Sequence, residues 1–290
     1  MKIGLARPAF PPPPGFPDID AAFQAERAER LGFESFWCGE HGVSPIETSS
    51  SSPHEALRGA RGVAGYMDPL IALARASAVT KHIKLGTAIL ILPQRHPLTV
   101  AKELSTLDFY SGGRFCLGIG AGWNRGEADV LGVDFDHRWS QAHEAVIVLK
   151  GLWTQALFEF HGRYYDFPPV ACEPKPAQKP HPPIYLGGRA PNVFKRIVAW
   201  GDGWLPGIIP LDELSAGRRT LDTLAKAAGR DPQSLEISTY ISEANPALGA
   251  DLLKRYEDAG ADRILLMPER PLDEAELGRS IDRLASIAFG

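Results

Sequence analysis

Short apolar runs alternate with longer stretches of helical periodicity along most of the chain. The first run, residues 2–7, reads as a strand stopped by Pro8 and the prolines Pro11 to Pro14. Asp18 or Asp20 can cap a helix through Leu31, with Phe23, Ala28 and Leu31 on one face and Gly32 just past its end. Strands are then expected at 33–38, 83–91, 114–119, 184–186, 203–205, 235–240 and 263–267. Helices are expected between and after them, at 69–80, 98–110, 137–154, 191–200, 211–228, 248–259 and 274–287. Two stretches break the rhythm. Residues 42–66, with Ser49 to Ser52, Pro53, Gly59, Gly62 and Gly65, read as a long polar loop of the kind that often serves function. Residues 155–182 read as irregular, because Pro168, Pro169, Pro174, Pro176 and Pro180 exclude a regular helix or a central strand.

Strand–helix alternation implies a parallel sheet. Eight such units in one chain close into a barrel more naturally than they form an open doubly wound sheet. The expected fold is α/β, a single (β/α)8 TIM barrel over residues 1–290 carrying insertions at about 42–66 and 155–182.

Composition narrows the possible functions. The chain is 44% hydrophobic and 23% charged, an ordinary globular balance, and its formal net charge of −4 lacks the basic footprint of a nucleic-acid binder. No run approaches the ~18 apolar residues of a membrane span, and the opening residues read as a strand, not a signal peptide. A cytoplasmic, soluble protein is expected. Cys38, Cys116 and Cys172 are odd in number and widely spaced, which suits neither a disulfide framework nor a zinc ribbon.

In a barrel of this kind the active site lies at the C-terminal ends of the strands. Strand 2 ends in Trp37-Cys38-Gly39-Glu40-His41, joining a carboxylate to an imidazole suited to acid–base work near neutrality. Strand alternation puts Cys38 and Glu40 on one face and His41 on the other, and no second histidine cluster completes a ligand set, so no metal is expected. Strand 4 ends in Gly118-Ile119-Gly120-Ala121-Gly122-Trp123-Asn124, whose glycines either let a flat ligand approach the backbone or pack the barrel neck. The spacing is not that of a dinucleotide fingerprint. Gly187-Gly188-Arg189 leads into a helix whose first amides suit a phosphate, although barrel phosphate sites usually follow strands 7 and 8. Trp123, Trp204, Phe10 and Phe16 are candidates to flank a planar ligand, whereas Trp37 and Cys116 lie within strands and read as core, and Asp202 reads as a brace of the strand 6 turn.

These segments together resemble the bacterial-luciferase-like flavin oxidoreductases, and within them the deazaflavin (coenzyme F420)-dependent group. The resemblance runs over nearly the whole chain: Leu31 to His41, Ile83 to Leu90, Arg95-His96-Pro97 with Ala101-Lys102, Thr106-Leu107-Asp108, Ser111 to Arg114, Leu117 to Trp123, Glu173 to Pro176, Pro182 to Ile184, Gly187-Gly188 and Gly201 to Trp204. It implies an isoalloxazine-type ring held over strands 3 and 4 by Thr87, Ala88 and Ile89, with a non-prolyl cis peptide at Ala88–Ile89. It further implies that Gly120, Ala121, Gly122, Trp123 and Asn124 lie along the cofactor side chain, that Gly187, Gly188 and Arg189 hold its phosphate, and that His41 faces the reacting edge. Relatives that oxidise a sugar phosphate carry a carboxylate where this chain has Trp123, so an apolar or aromatic substrate beneath the 42–66 loop is expected instead.

The favoured reading is hydride transfer between coenzyme F420 and a small organic substrate, with His41 and Glu40 as the catalytic pair and, as in many relatives, a homodimer. An FMN-dependent monooxygenase is the sister reading, since Arg95, Arg189, Lys195 and Arg196 could meet an FMN phosphate or a longer anionic tail. A flavin-binding accessory module without turnover is the non-enzyme alternative.

Overall fold

The computed structural model describes residues 1–7, 20–43, 66–269 and 273–290. Eight parallel strands pair around a closed ring: β1 (Lys2–Ala6), β2 (Ser35–Cys38), β3 (Lys84–Thr87), β5 (Phe115–Gly120), β8 (Ile184–Gly187), β9 (Gly203–Leu205), β10 (Glu236–Ser242) and β11 (Arg263–Met267), with β11 returning to β1. A two-residue strand, β4 (Leu90–Ile91), continues β3 along β5. The expected TIM barrel is therefore the observed fold. Leu31, Gly32 and the other proposed helix ends fall within a residue or two of their expected places.

The outer layer contains α1 (Ala21–Arg30), α2 (Pro69–Val79), α3 (Pro97–Tyr110), α4 (Arg125–Val130), α5 (Arg138–Thr154), α6 (Asn192–Trp200), α7 (Leu211–Ala227), α8 (Ala250–Asp258) and α9 (Glu274–Phe289). Asp20 caps α1 by accepting from the Ala22 amide at 3.0 Å, and Asp68 caps α2 by accepting from Leu70 and Ile71. Residues 155–182 are more ordered than the prolines suggest. Phe158–His161 (β6) and Asp166–Val170 (β7) form an antiparallel hairpin outside the barrel. Pro168 and Pro169 are tolerated there because a two-stranded ribbon has outer edges on which missing amides cost nothing.

The hydrophobic core has two parts. Most of it fills the space between strands and helices. A smaller cluster of Ala6, Trp37, Cys116, Tyr185, Leu205 and Leu265 plugs the barrel interior. Beneath the plug lies Arg263, fully buried, whose guanidinium binds Glu34 at 2.9 and 3.1 Å, Glu236 at 3.2 Å and the Ser238 hydroxyl at 3.0 Å. Its charge also lies over the Trp37 and Tyr185 rings. Among the described residues the N-terminal end of the barrel is thus filled, which leaves a ligand the C-terminal strand ends.

Candidate functional site

The mouth is organised by an irregularity in the third barrel strand. Gly86 pairs with Cys116 and Leu90 with Ile119, so four steps along one strand match three along the other. The extra residue is a bulge, a feature common beside active sites because it redirects side chains. Within it the Ala88–Ile89 peptide is cis, as the resemblance implies. Thr87 replaces the lost ladder: its hydroxyl donates to the Gly118 carbonyl at 2.7 Å and accepts from the Gly118 amide at 3.0 Å. Thr87 is therefore fully buried and offers no side-chain atom to a ligand, contrary to its expected place in a cofactor site.

Ala88 and Ile89 emerge half-buried at the mouth. The Ala88 amide donates to the Cys38 carbonyl at 2.7 Å, and its carbonyl accepts from the Tyr240 hydroxyl at 3.0 Å. Ile89 lies across two of the predicted glycines. A Cβ at Gly120 would approach Ile89 Cδ1 to 2.6 Å, and one at Gly187 would approach Ile89 Cγ2 to 3.1 Å. The glycines at these two positions make room for Ile89, and for Gly120 this is a packing role in the barrel neck. Ala121 is buried as well, while Gly122 takes φ +82° and its carbonyl accepts from Arg138 Nε at 2.9 Å.

His41 stands beside this shelf. Its ring meets Tyr66 edge-on at 5.0 Å and Trp123 edge-on at 5.5 Å. Tyr66 links it to the shelf, because the Tyr66 ring edge abuts Gly39, which in turn lies against the Ala88 carbonyl. Burial pushes the Tyr66 phenol up to about 12, so it stays a neutral donor at any ordinary pH.

The carboxylate that serves His41 is not Glu40. Glu127, with a side chain only 1% exposed, places Oε2 3.0 Å from His41 Nδ1, and its Oε1 accepts from the Gly42 amide at 2.7 Å and the Val43 amide at 3.4 Å. Asn124 sets this up by capping α4, its Oδ1 accepting from the Glu127 amide at 3.4 Å. Asn124 is thus buried as a helix cap, away from the surface expected to touch cofactor. In the sequence Glu127 lies 86 residues from His41 and carries no signal that joins the two. A six-residue helix was enough to aim it.

Glu40 points the other way, as strand alternation requires. It accepts from the Ile91 amide at 2.6 Å and from Arg95 Nε at 3.0 Å, with a second Arg95 contact. Arg95 Nη2 also donates to Asp68 at 2.6 Å. Burial pushes the Glu40 carboxyl up, and Arg95 opposes that shift. The expected pairing of Glu40 with His41 is therefore corrected: Glu40 ties the end of β2 to β4 and, through Arg95, to the cap of α2. Arg95 is committed to this tie and is not free for a phosphate.

Across the mouth, Gly187 is buried, and Gly188 is exposed with φ +102°. No side chain caps the start of α6 that follows. Arg189 is exposed and forms a two-pronged pair with Glu213, its Nε donating to Oε1 at 2.7 Å. In this structure its charge faces the Glu213 carboxylate on the surface. Two other arginines flank the same strand ends. Arg196 stacks on Trp139 at 4.5 Å, and Arg138 lies on Phe135 at 3.9 Å. Both guanidiniums are lowered, first by burial; Arg138 lowers Arg196 further, and Arg125 lowers Arg138. Asp136, paired with Arg125, partly offsets the effect on Arg138.

The other predicted aromatics separate cleanly. Trp37 is core, as expected. Trp204 is buried too, packed on Phe194 at 4.8 Å and donating to the Gly188 carbonyl at 2.8 Å, so it supports the loop from beneath instead of flanking a ligand. Asp202 braces the strand turn as expected, accepting from the Ile184 amide at 2.9 Å. Phe10, Phe16 and nearly all of the 42–66 loop lie outside the described residues. Among the described residues no group of three or more His, Cys, Asp or Glu side chains could hold a metal ion, and no helix is long and apolar enough to cross a membrane.

Comparison with known proteins agrees with this architecture. An uncharacterized protein of Mycobacterium tuberculosis is 34% identical over 277 residues, covering 92% of this chain and 93% of its own. The fold matches an F420-dependent secondary alcohol dehydrogenase bound to an F420–acetone adduct (TM-score 0.74, 20% identity, 98% of this chain and 99% of that one). It equally matches the FMN-bound oxygenating component of 3,6-diketocamphane monooxygenase from Pseudomonas putida (TM-score 0.75, 17% identity, 99% and 97%). Residues 17–251 match the luciferase-like monooxygenase family. The chain belongs to that family and is a flavin- or deazaflavin-dependent oxidoreductase.

Proposed function

We propose that the protein transfers a hydride between coenzyme F420 and a small apolar or aromatic organic molecule, with His41 moving the accompanying proton. The carrying observation is the position of His41, enclosed by Tyr66 and Trp123 and backed by a buried carboxylate beside the Ala88–Ile89 shelf.

The residues present suit a flavin-type group. Ala88 and Ile89 offer a flat apolar surface held from below by Tyr240, Cys38 and the neck glycines. Gly188 and the uncapped start of α6 offer backbone amides to a phosphate. When bound there, the ring supplies the hydride donor or acceptor. Arg138, whose Nε donates to the Gly122 carbonyl, and Arg196 on α6 set two cations on this side of the mouth, and we take them to favour the longer anionic tail of F420. Arg189 joins the anion site only by releasing Glu213. On the substrate side, Trp123 and Tyr66 present ring surface where a sugar phosphate would need polar partners.

The test is calorimetric titration of the protein with F420 and FMN in both redox states, then turnover with a panel of ketones, enones and secondary alcohols. Micromolar or tighter F420 binding with cofactor-linked hydride exchange is the expected result. Tight FMN binding with substrate-dependent oxygen uptake overturns it in favour of a monooxygenase, and binding without turnover leaves an accessory module.

The homodimer belongs to the same proposal. Ile71 on α2 and Phe109 and Tyr110 on α3 are exposed large apolar residues, and the two helices bound a groove of about 700 Å³. Sedimentation should give a dimer that Tyr110→Lys weakens; a monomer at micromolar concentration removes this part.

A further inference from the structure

We infer that Glu127 is the positioning residue for His41, fixing its proton on Nδ1 and leaving Nε2 as the atom that exchanges a proton with substrate. The inference rests on the acid–base reading of His41 given above and adds to it the group that makes the imidazole usable.

The assignment follows from the donors around one carboxylate. Oε1 takes the backbone amides of Gly42 at 2.7 Å and Val43 at 3.4 Å, and Oε2 faces His41 Nδ1 at 3.0 Å. An ionised carboxylate only accepts hydrogen bonds, so the imidazole must be the donor at Nδ1. A neutral imidazole donating from Nδ1 carries its lone pair on Nε2. Three consecutive residues, 41 to 43, are thus gripped by one buried side chain. That grip fixes the ring orientation as well as its tautomer, between the edges of Tyr66 and Trp123. Glu40, the sequence neighbour, is spent on Arg95 and Ile91 and supplies none of this.

Glu127→Gln makes the inference testable. The amide oxygen still accepts from Gly42 and Val43, so the local backbone keeps its anchor. The amide NH2 now faces Nδ1 and can only donate, which drives the imidazole to the opposite tautomer. Nitrogen-15 NMR of histidine-labelled protein, without cofactor, should show His41 protonated at Nδ1 in the native chain and at Nε2 in Glu127→Gln. With the best substrate of the panel, kcat should fall about 10²–10⁴-fold while KM and cofactor Kd change far less, as when the carboxylate that orients a reacting histidine is replaced by its amide. Glu127→Asp keeps the charge and should recover part of the loss and the native tautomer, and it stands in if the glutamine variant does not fold. A native His41 protonated at Nε2, or a tautomer that Glu127→Gln leaves unmoved, overturns the positioning role even if His41→Ala is inactive. If His41→Ala keeps its kcat, the acid–base reading itself fails and takes the inference with it.

Discussion

At the residue scale, the site depends on side chains whose neighbours decide what they can do. His41→Ala should lower turnover by about 10²–10⁴-fold, the usual contribution of a placed acid–base group, with cofactor affinity little changed in the same titrations. Gly120 makes a different demand. A methyl group there would sit 2.6 Å from Ile89 Cδ1, so Gly120→Ala must push Ile89 off its bed. We expect a loss of about 1–3 kcal/mol in urea denaturation together with weaker cofactor binding. Gly187→Ala, at 3.1 Å, should cost less. His41 was legible from the sequence because strand ends are where barrels keep their chemistry. Its partner was not, because Glu127 is distant in the chain while Glu40 is adjacent, and sequence adjacency in a strand means opposite faces.

Elements were read more securely than the contacts between them. The eight strands and their helices follow from apolar periodicity and glycine stops, and burial on a closed sheet enforces that same periodicity. The hairpin of β6 and β7 escaped notice because its prolines forbid a central strand without forbidding an isolated ribbon. The bulge after β3 also left no pattern, since it changes pairing and not hydropathy. What joins the elements at the mouth is largely the Glu40–Arg95–Asp68 tie, which links β2, β4 and α2. Arg95→Met strands Glu40 in a buried position without its counter-charge. Removing one partner of such a pair typically costs about 3–5 kcal/mol, and a drop of that order in urea denaturation is expected. Arg95→Met combined with Glu40→Leu should recover much of the loss, because an apolar pair removes the stranded charge.

For the whole molecule, the two ends of the barrel have opposite characters. At the closed end, burial alone would raise the Glu236 carboxyl, but Arg263, Lys2 and Tyr185 outweigh it and hold the group down at about 2. Glu34 is lowered in the same way, with Arg263 overcoming burial. Carboxyls depressed in the folded state stabilise it fully above their ordinary range near 4.5, and that stabilisation drains away as the pH falls toward 2. The melting temperature should therefore decline across that interval, and Arg263→Met should flatten the decline while lowering the starting value. This filling has a kinetic consequence as well. With the floor filled among the described residues, cofactor and substrate both come to the C-terminal mouth, and the proposed arrangement lays the substrate beside His41 over a ring already resting on the Ala88–Ile89 shelf. Whichever molecule occupies the shelf must enter first and leave last. Steady-state kinetics should accordingly be ordered, with substrate at the rim slowing cofactor dissociation. Product inhibition should be competitive only between the two forms of the cofactor.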